Sequence, residues 1–194
     1  RSERFLAQDV REKIALFCQS NVQKTAVAKV LAGLLPPTGG VVRYNDMNLV
    51  EVNLESIDPY RGLMLDSQPT LLEGTIEDNL TLGRTAISHD DILWALHFVE
   101  LDDEIDHLPD GLATQVTGHR DQFTLSQILR LLLARAIVIR PHVLIIDGTL
   151  HNMIPTLRET ILRRLCSKDE PWSVIFVTND PTFATYVDRR VTVA

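Results

Sequence analysis

The chain has 194 residues, 45% hydrophobic and 23% charged, with 26 acidic against 19 basic side chains and a net charge of -7. A chain this long and this apolar can bury a full core, which excludes disordered, collagen-like, mucin-like and disulfide-scaffold classes. Its acidity and scattered arginines argue against a dedicated nucleic-acid binder, because neutralising phosphates takes a basic face.

The doublets Arg163-Arg164 and Arg189-Arg190 read as solvated faces. Cys18 and Cys166 lie far apart without metal-ligand spacing and read as small buried hydrophobes of a reducing compartment. No signal peptide is read. The longest apolar stretch, Leu129 to Ile139, is broken by Arg130 and Arg135 and falls short of the about 20 apolar residues a spanning helix needs. There are only nine glycines, about 5% of the chain against a usual 7% or so.

In chain order, Lys13 to Phe17 (KIALF) reads as a strand, Cys18 to Gln23 as a six-residue loop, and Lys24 onward as a helix with Val27, Val30, Leu31 and Leu34 on one face, stopped by Pro36-Pro37. Thr38-Gly39-Gly40 turns into a strand over Val41 to Tyr44, with a further turn at Asn45-Asp46. The apolar run Gly62 to Leu65 leads into Ser67-Gln68-Pro69, and Thr75-Ile76-Glu77-Asp78 opens a helix. Another helix is expected from Ser88 to Val99, capped by Ser88, with Asp90 and Asp91 favoured by the helix dipole. Pro109 to Gln122 is a polar loop; Leu125 to Ile139 is strongly helical and ends at Arg140-Pro141. The strand VLII (Val143 to Ile146) ends in Asp147, a helix covers Thr156 to Cys166, and VIFV (Val174 to Val177) is a last strand. Strands apolar on both faces belong to a parallel sheet covered by helices, so the fold class is α/β.

A strand, a loop, Lys24-Thr25 and a helix make the layout of a phosphate-binding loop, where backbone amides wrap phosphate, a lysine reaches the outer phosphates and a hydroxyl holds Mg²⁺. Against G-x-x-x-x-G-K-[ST], the segment Cys18-Gln19-Ser20-Asn21-Val22-Gln23-Lys24-Thr25 keeps the lysine and the hydroxyl and lacks both glycines. A helix that happens to begin with Lys-Thr explains these two residues as well. Asp147 at a strand end suits water-mediated Mg²⁺ binding, although strands ending in aspartate are common.

The order of further segments resembles the nucleotide-binding domain of an ABC transporter of the exporter type. The resemblance is carried by Leu31-Ala32-Gly33-Leu34-Leu35-Pro36-Pro37-Thr38-Gly39-Gly40, by the glutamine-loop stretch Asp66 to Leu80, by Pro109-Asp110-Gly111-Leu112-Ala113-Thr114-Gln115-Val116, by Leu132-Leu133-Ala134-Arg135-Ala136, and by Pro141 with Leu144-Ile145-Ile146-Asp147. It implies a P-loop NTPase-like cassette over 1–194, with a mostly parallel core sheet flanked by helices (roughly 1–68 and 136–194) and a helical subdomain (roughly 69–135). It further implies ATP with Mg²⁺ as cofactors, with Lys24, Thr25, Gln68, Asp147 and Gln127 toward nucleotide and Thr25, Gln68 and Asp147 toward the metal. Gln68 also has a plainer explanation as a polar turn residue before proline.

The sequence departs from the family pattern where that family does its chemistry. The signature L-S-G-G-Q falls on Phe123-Thr124-Leu125-Ser126-Gln127, of which only the glutamine remains. The catalytic glutamate is Gly148, which cannot orient or deprotonate water; the switch histidine is Asn179; the D-loop aspartate is Ile154. In the phosphate loop Gln23 resists the left-handed geometry that glycine adopts, at a cost of about 1 kcal/mol or more.

The expectation is therefore a degenerate exporter cassette, impaired in ATP binding and hydrolysis, that docks to a transmembrane domain through 68–80 and 114–118. It would sit on the cytoplasmic side of the inner or plasma membrane, peripheral or fused to that domain, and pair with itself or with a second nucleotide-binding domain. An active motor completed by a partner subunit and a P-loop-derived interaction module without transport are the alternatives. Lys24 and Asp147, left facing each other, are expected to form an ion pair.

Overall fold

The apolar runs KIALF, VLII and VIFV lie side by side at the centre of the molecule. In the computed structural model, which describes residues 11–44, 47–65, 69–117 and 122–193, β1 (Lys13–Phe17), β4 (Arg61–Met64), β7 (Val143–Asp147), β8 (Ser173–Thr178) and β9 (Arg189–Thr192) form one sheet. All its pairings are parallel, in the order β4-β7-β8-β1-β9.

A parallel sheet is stable when helices cover both faces. On one face α1 (Asn21–Leu31) sets Ala28, with Ala32 just beyond it, against Ile14, Leu16, Ile145 and Val177. On the other, α6 (Leu125–Ile137) and α7 (Pro155–Leu165) bury Leu129, Leu133, Ile161 and Leu165 with Ala15, Leu144, Ile146 and Phe176. β4 lies hard against α6: a Cβ at Gly62 would strike the carbonyl of Ala136, so the approach requires glycine.

Around α6 wrap α3 (Ile76–Thr81), α4 (His89–Phe98) and α5 (Asp102–Asp106), whose Ile76, Leu80, Ile92, Leu96 and Ile105 join the same core. Thr75 and Ser88 cap α3 and α4 in reciprocal boxes with Asp78 and Asp91. Two small antiparallel pairs complete the fold, β2 (Arg43–Tyr44) with β3 (Met47–Asn48) and β5 (Gly74–Thr75) with β6 (Gln115–Val116), together with the single turn α2 (Leu54–Ile57).

Several expectations change. The strand expected over Val41 to Tyr44 shrinks to Arg43–Tyr44, because no sheet covers Val41, which stays exposed. The polar loop Pro109 to Gln122 contains β6, held by β5 and by the Ile76 amide donating to the Thr114 carbonyl. The arginine doublets are only half solvated: Arg164 donates to the carbonyls of His97 and Phe98 at 2.8 Å each, and Arg189 grips Glu12 through two nitrogens. Cys18 is buried but Cys166 only half so. Lys13, the first residue of β1, is buried and donates to the Trp172 carbonyl at 2.5 Å. The turn at Asn45-Asp46 lies outside the described residues.

Candidate functional site

β1 ends at Phe17 and α1 begins at Asn21, so three residues connect them rather than the six expected. Ser20, in an extended conformation, caps the helix: its Oγ accepts from the Gln23 amide at 3.2 Å and its carbonyl from the Lys24 amide at 3.0 Å. Gln23 reaches back so that its Oε1 accepts from the Gln19 amide at 2.7 Å, and the Cys18 amide donates to the Thr178 carbonyl at 2.9 Å. The amides of residues 18, 19, 23 and 24 thus all have partners within the chain. Glycine-rich loops keep such amides turned toward an anion because no side chain competes for them. Here serine and glutamine compete, and the second half of the segment winds into helix.

Lys24 consequently sits one turn inside α1, 3% exposed. Its Nζ is 3.5 Å from Asp147 Oδ1, the ion pair expected from sequence. Thr25 Oγ1 donates to Asp147 Oδ2 at 3.2 Å, so consecutive residues of one helix turn serve both oxygens of a carboxylate that is 0% exposed. An uncompensated carboxylate there would be costly; a cation and a hydroxyl offset its desolvation. Beyond β7 the chain turns at Gly148 with φ +45, and a Cβ at this position would strike Lys24 Nζ and lie 3.1 Å from its Cδ and Cε. The place assigned by resemblance to a catalytic carboxylate is occupied by the lysine stem. Burial, with the charge of Asp147 adding to it, pushes the nearby Cys18 thiol up, against the opposing effect of Lys24.

After β8, Asn179 Nδ2 donates to Asn21 Oδ1 at 3.3 Å, tying the switch-histidine position to the first turn of α1. Asp180 pairs with Arg158 at 3.4 Å and accepts from the Thr182 amide. Ile154, at the N-cap of α7, is 62% exposed.

The signature positions form a different group. Thr124 caps α6, accepting from the Gln127 amide at 3.2 Å, while Gln127 Oε1 accepts from the Thr124 amide at 2.8 Å. Gln127 Nε2 then donates to Glu104 Oε2 at 2.8 Å, and Arg130 Nη2 to Glu104 Oε1 at 2.7 Å. The side chain of Gln127 is spent on closing the helix start and fastening it to α5. Leu125 beside it is 47% exposed.

Lys24, Thr25, Asp147 and Gly148 are therefore brought together, Asn179 reaches the same loop through Asn21, and Gln127 belongs elsewhere. Gln68 and Gly118 lie outside the described residues. Of the residues expected from the resemblance to face a metal, Thr25 and Asp147 lie together, joined by a hydrogen bond; among the described residues no group of three or more histidine, cysteine, aspartate or glutamate side chains is arranged to hold a metal ion. The roles of Ser20 and Glu104 were missed. The signal for the former was present, since Ser20-Asn21-Val22-Gln23 and Thr124-Leu125-Ser126-Gln127 both follow the [ST]-x-x-[EQ] pattern of a capped helix start.

The two stretches expected to dock a membrane domain meet in space as β5 and β6. Asn79, buried, holds the loop before β5 by accepting from the Leu72 amide and donating to the Leu72 carbonyl, both at 2.8 Å, while Leu72 itself is 55% exposed. Among the described residues no helix is long and apolar enough to cross a membrane.

A family model described as ABC transporter matches residues 9–151. The chain is 27% identical over 180 residues to the transport/processing ATP-binding protein ComA of Streptococcus pneumoniae, covering 92% of this chain and 25% of that protein. It is 28% identical over 182 residues to the mesentericin-Y105 transport/processing ATP-binding protein MesD of Leuconostoc mesenteroides, covering 93% and 25%. It thus spans a quarter of the length of these relatives. A solved structure of a bacterial Atm1-family ABC exporter with ATP bound matches it in fold, with a TM-score of 0.83 at 20% identity over 94% of this chain and 32% of that one.

Proposed function

The chain belongs to the ABC transporter family, and from that premise we propose that it is an exporter-type nucleotide-binding cassette that has lost hydrolysis and tight ATP binding and serves as a docking or coupling part for a transmembrane domain. The exporter assignment is supported by its similarity to the transport/processing ATP-binding proteins ComA and MesD.

The observation that carries the loss of nucleotide binding is the commitment of the Cys18, Gln19, Gln23 and Lys24 amides to partners within the chain. Proteins of this family bind ATP with Mg²⁺, and the residues present here do not fit that group. The amides of Gln19, Gln23 and Lys24 are committed to Gln23 and Ser20, Lys24 to Asp147, and Thr25 to the same carboxylate. A triphosphate bound in the family's manner would have to compete with these contacts for the same amides, ammonium and hydroxyl. Hydrolysis has a further obstacle, since Gly148 supplies no base and Asn179 no proton relay.

Docking is proposed for 68–80 and 114–118, with Leu72 as the exposed apolar contact on a loop that Asn79 holds in place. Through that contact the cassette would reside at the cytoplasmic face of a membrane, paired with a second cassette. An active motor completed by a partner is disfavoured because the phosphate-loop and signature helix starts are both capped on this one chain.

Calorimetric titration with ATP and Mg²⁺, run beside a phosphate-release assay, tests the proposal. No binding at millimolar ATP is expected, and micromolar binding with turnover would overturn it. Co-purification with a membrane domain separates the docking role from an interaction module without transport.

A further inference from the structure

Gly148 does more than remove an acid. We infer that it is the residue that lets the chain fill its own cation site, with the ammonium of Lys24 standing permanently against Asp147 where a metal-bearing ligand would otherwise be held. This rests on the proposed loss of nucleotide handling and adds its physical cause at one position.

Asp147 is fully buried at the end of β7, and a carboxylate out of water needs a cation close by. Lys24 provides it at 3.5 Å from Oδ1, while Thr25, the next residue, satisfies Oδ2. To arrive there the lysine stem must pass over residue 148. Its Cδ and Cε lie 3.1 Å from the point a Cβ would take, and its Nζ nearer still. The φ of +45 at this position is also one that glycine adopts without penalty and most side chains do not. A Cβ at 148 would press on the stem along its Cδ, Cε and Nζ, and the resulting shift is inferred to loosen the ammonium from Asp147. The Ser20 cap and the Asn21–Asn179 contact hold the helix start that carries the lysine.

The lysine content of the chain makes this measurable. There are four lysines, Lys13, Lys24, Lys29 and Lys168. Lys168 is exposed, Lys13 is buried against the Trp172 carbonyl on β1, and Lys24 is buried at the site. Acylation with N-hydroxysuccinimidyl acetate, followed by peptide mass spectrometry, reads all of them at once. Lys168 is the open reference, and Lys13 reports whether the fold is intact.

In the wild-type chain, with or without millimolar Mg²⁺, Lys24 is expected to react at least tenfold more slowly than Lys168. Gly148→Ala is expected to raise the Lys24 rate at least tenfold while Lys13 stays protected. Reaction of Lys24 at the rate of Lys168 in the wild type overturns the inference, as does an unchanged Lys24 rate in a folded Gly148→Ala. If Gly148→Ala exposes Lys13 as well, the near-isosteric Asp147→Asn decides: a faster Lys24 supports the inference and an unchanged one overturns it. None of these readings uses ATP. Micromolar ATP binding would thus overturn the proposed function while leaving a protected Lys24 as found, and an open Lys24 without ATP binding would do the reverse.

Discussion

Arg135, in the last turn of α6, holds Asn79 at two points: its Nε donates to the Asn79 carbonyl and its Nη2 to Asn79 Oδ1, both at 2.6 Å. Asn79 in turn donates to the Leu72 and Thr75 carbonyls and accepts from the Leu72 amide. The helix that starts at the signature positions thus ends fastened to the surface assigned to docking. Truncating the Asn79 side chain leaves Arg135 Nε on the residue's own backbone carbonyl but removes the partner of Arg135 Nη2 and the bonds made to both backbone groups of Leu72 and to the Thr75 carbonyl. Asn79→Ala is expected to lower stability by about 2–4 kcal/mol, read from urea unfolding, and to weaken co-purification with a membrane domain.

Restoring glycine to the phosphate loop should reopen it. Gln23→Gly removes the oxygen that holds the Gln19 amide, and Cys18→Gly removes a side chain beside Lys24 and Asp147. The double variant is expected to gain ATP affinity detectable by calorimetry, at about 1 kcal/mol of stability for a glycine inside α1. Phosphate release should remain absent, because Gly148 still offers no base.

The two helix caps make separate contributions. Ser20→Ala and Thr124→Ala each remove an acceptor for an amide of the first turn, and each is expected to lower stability by about 1 kcal/mol in urea unfolding. Thr124→Gly should cost only a few tenths, since glycine is itself tolerated as a cap.

Cys166 gives an alkaline signature. Burial pushes its thiol from 9.0 up to about 12. The unfolded chain therefore loses this proton first as the pH rises, so the contribution is complete below pH 9 and is lost through 12, amounting to up to about 4 kcal/mol. Lys13 acts in the opposite sense: burial lowers it from 10.5, so stability rises from its lowered value up to 10.5. Urea midpoints across this range are expected to fall less steeply in Cys166→Ala than in the wild type.

From the sequence alone, the apolar runs of β1, β7 and β8 identified a parallel sheet, because strands covered on both faces have no polar side to show. The helices starting at Ser88 and near Thr75 were legible from their caps, and the Lys24–Asp147 pair from the family resemblance, which sets both residues toward one nucleotide pocket. Ordered segments from Leu31 to Asp147 carried the family. What the sequence left open was the fate of Cys18 to Gln23. Six residues without glycine can loop around an anion or wind into helix, and the choice depends on whether amides find Ser20 Oγ and Gln23 Oε1 first. The burial of Lys13 is likewise decided by the fold, which brings the Trp172 carbonyl, just before β8, to its ammonium. Gly148 shows the same division: its identity recorded a missing carboxylate, but only the folded chain brings the Lys24 stem over it. Local pattern decides which elements form, whereas hydrogen-bond competition and close packing between distant residues are settled only when those elements meet.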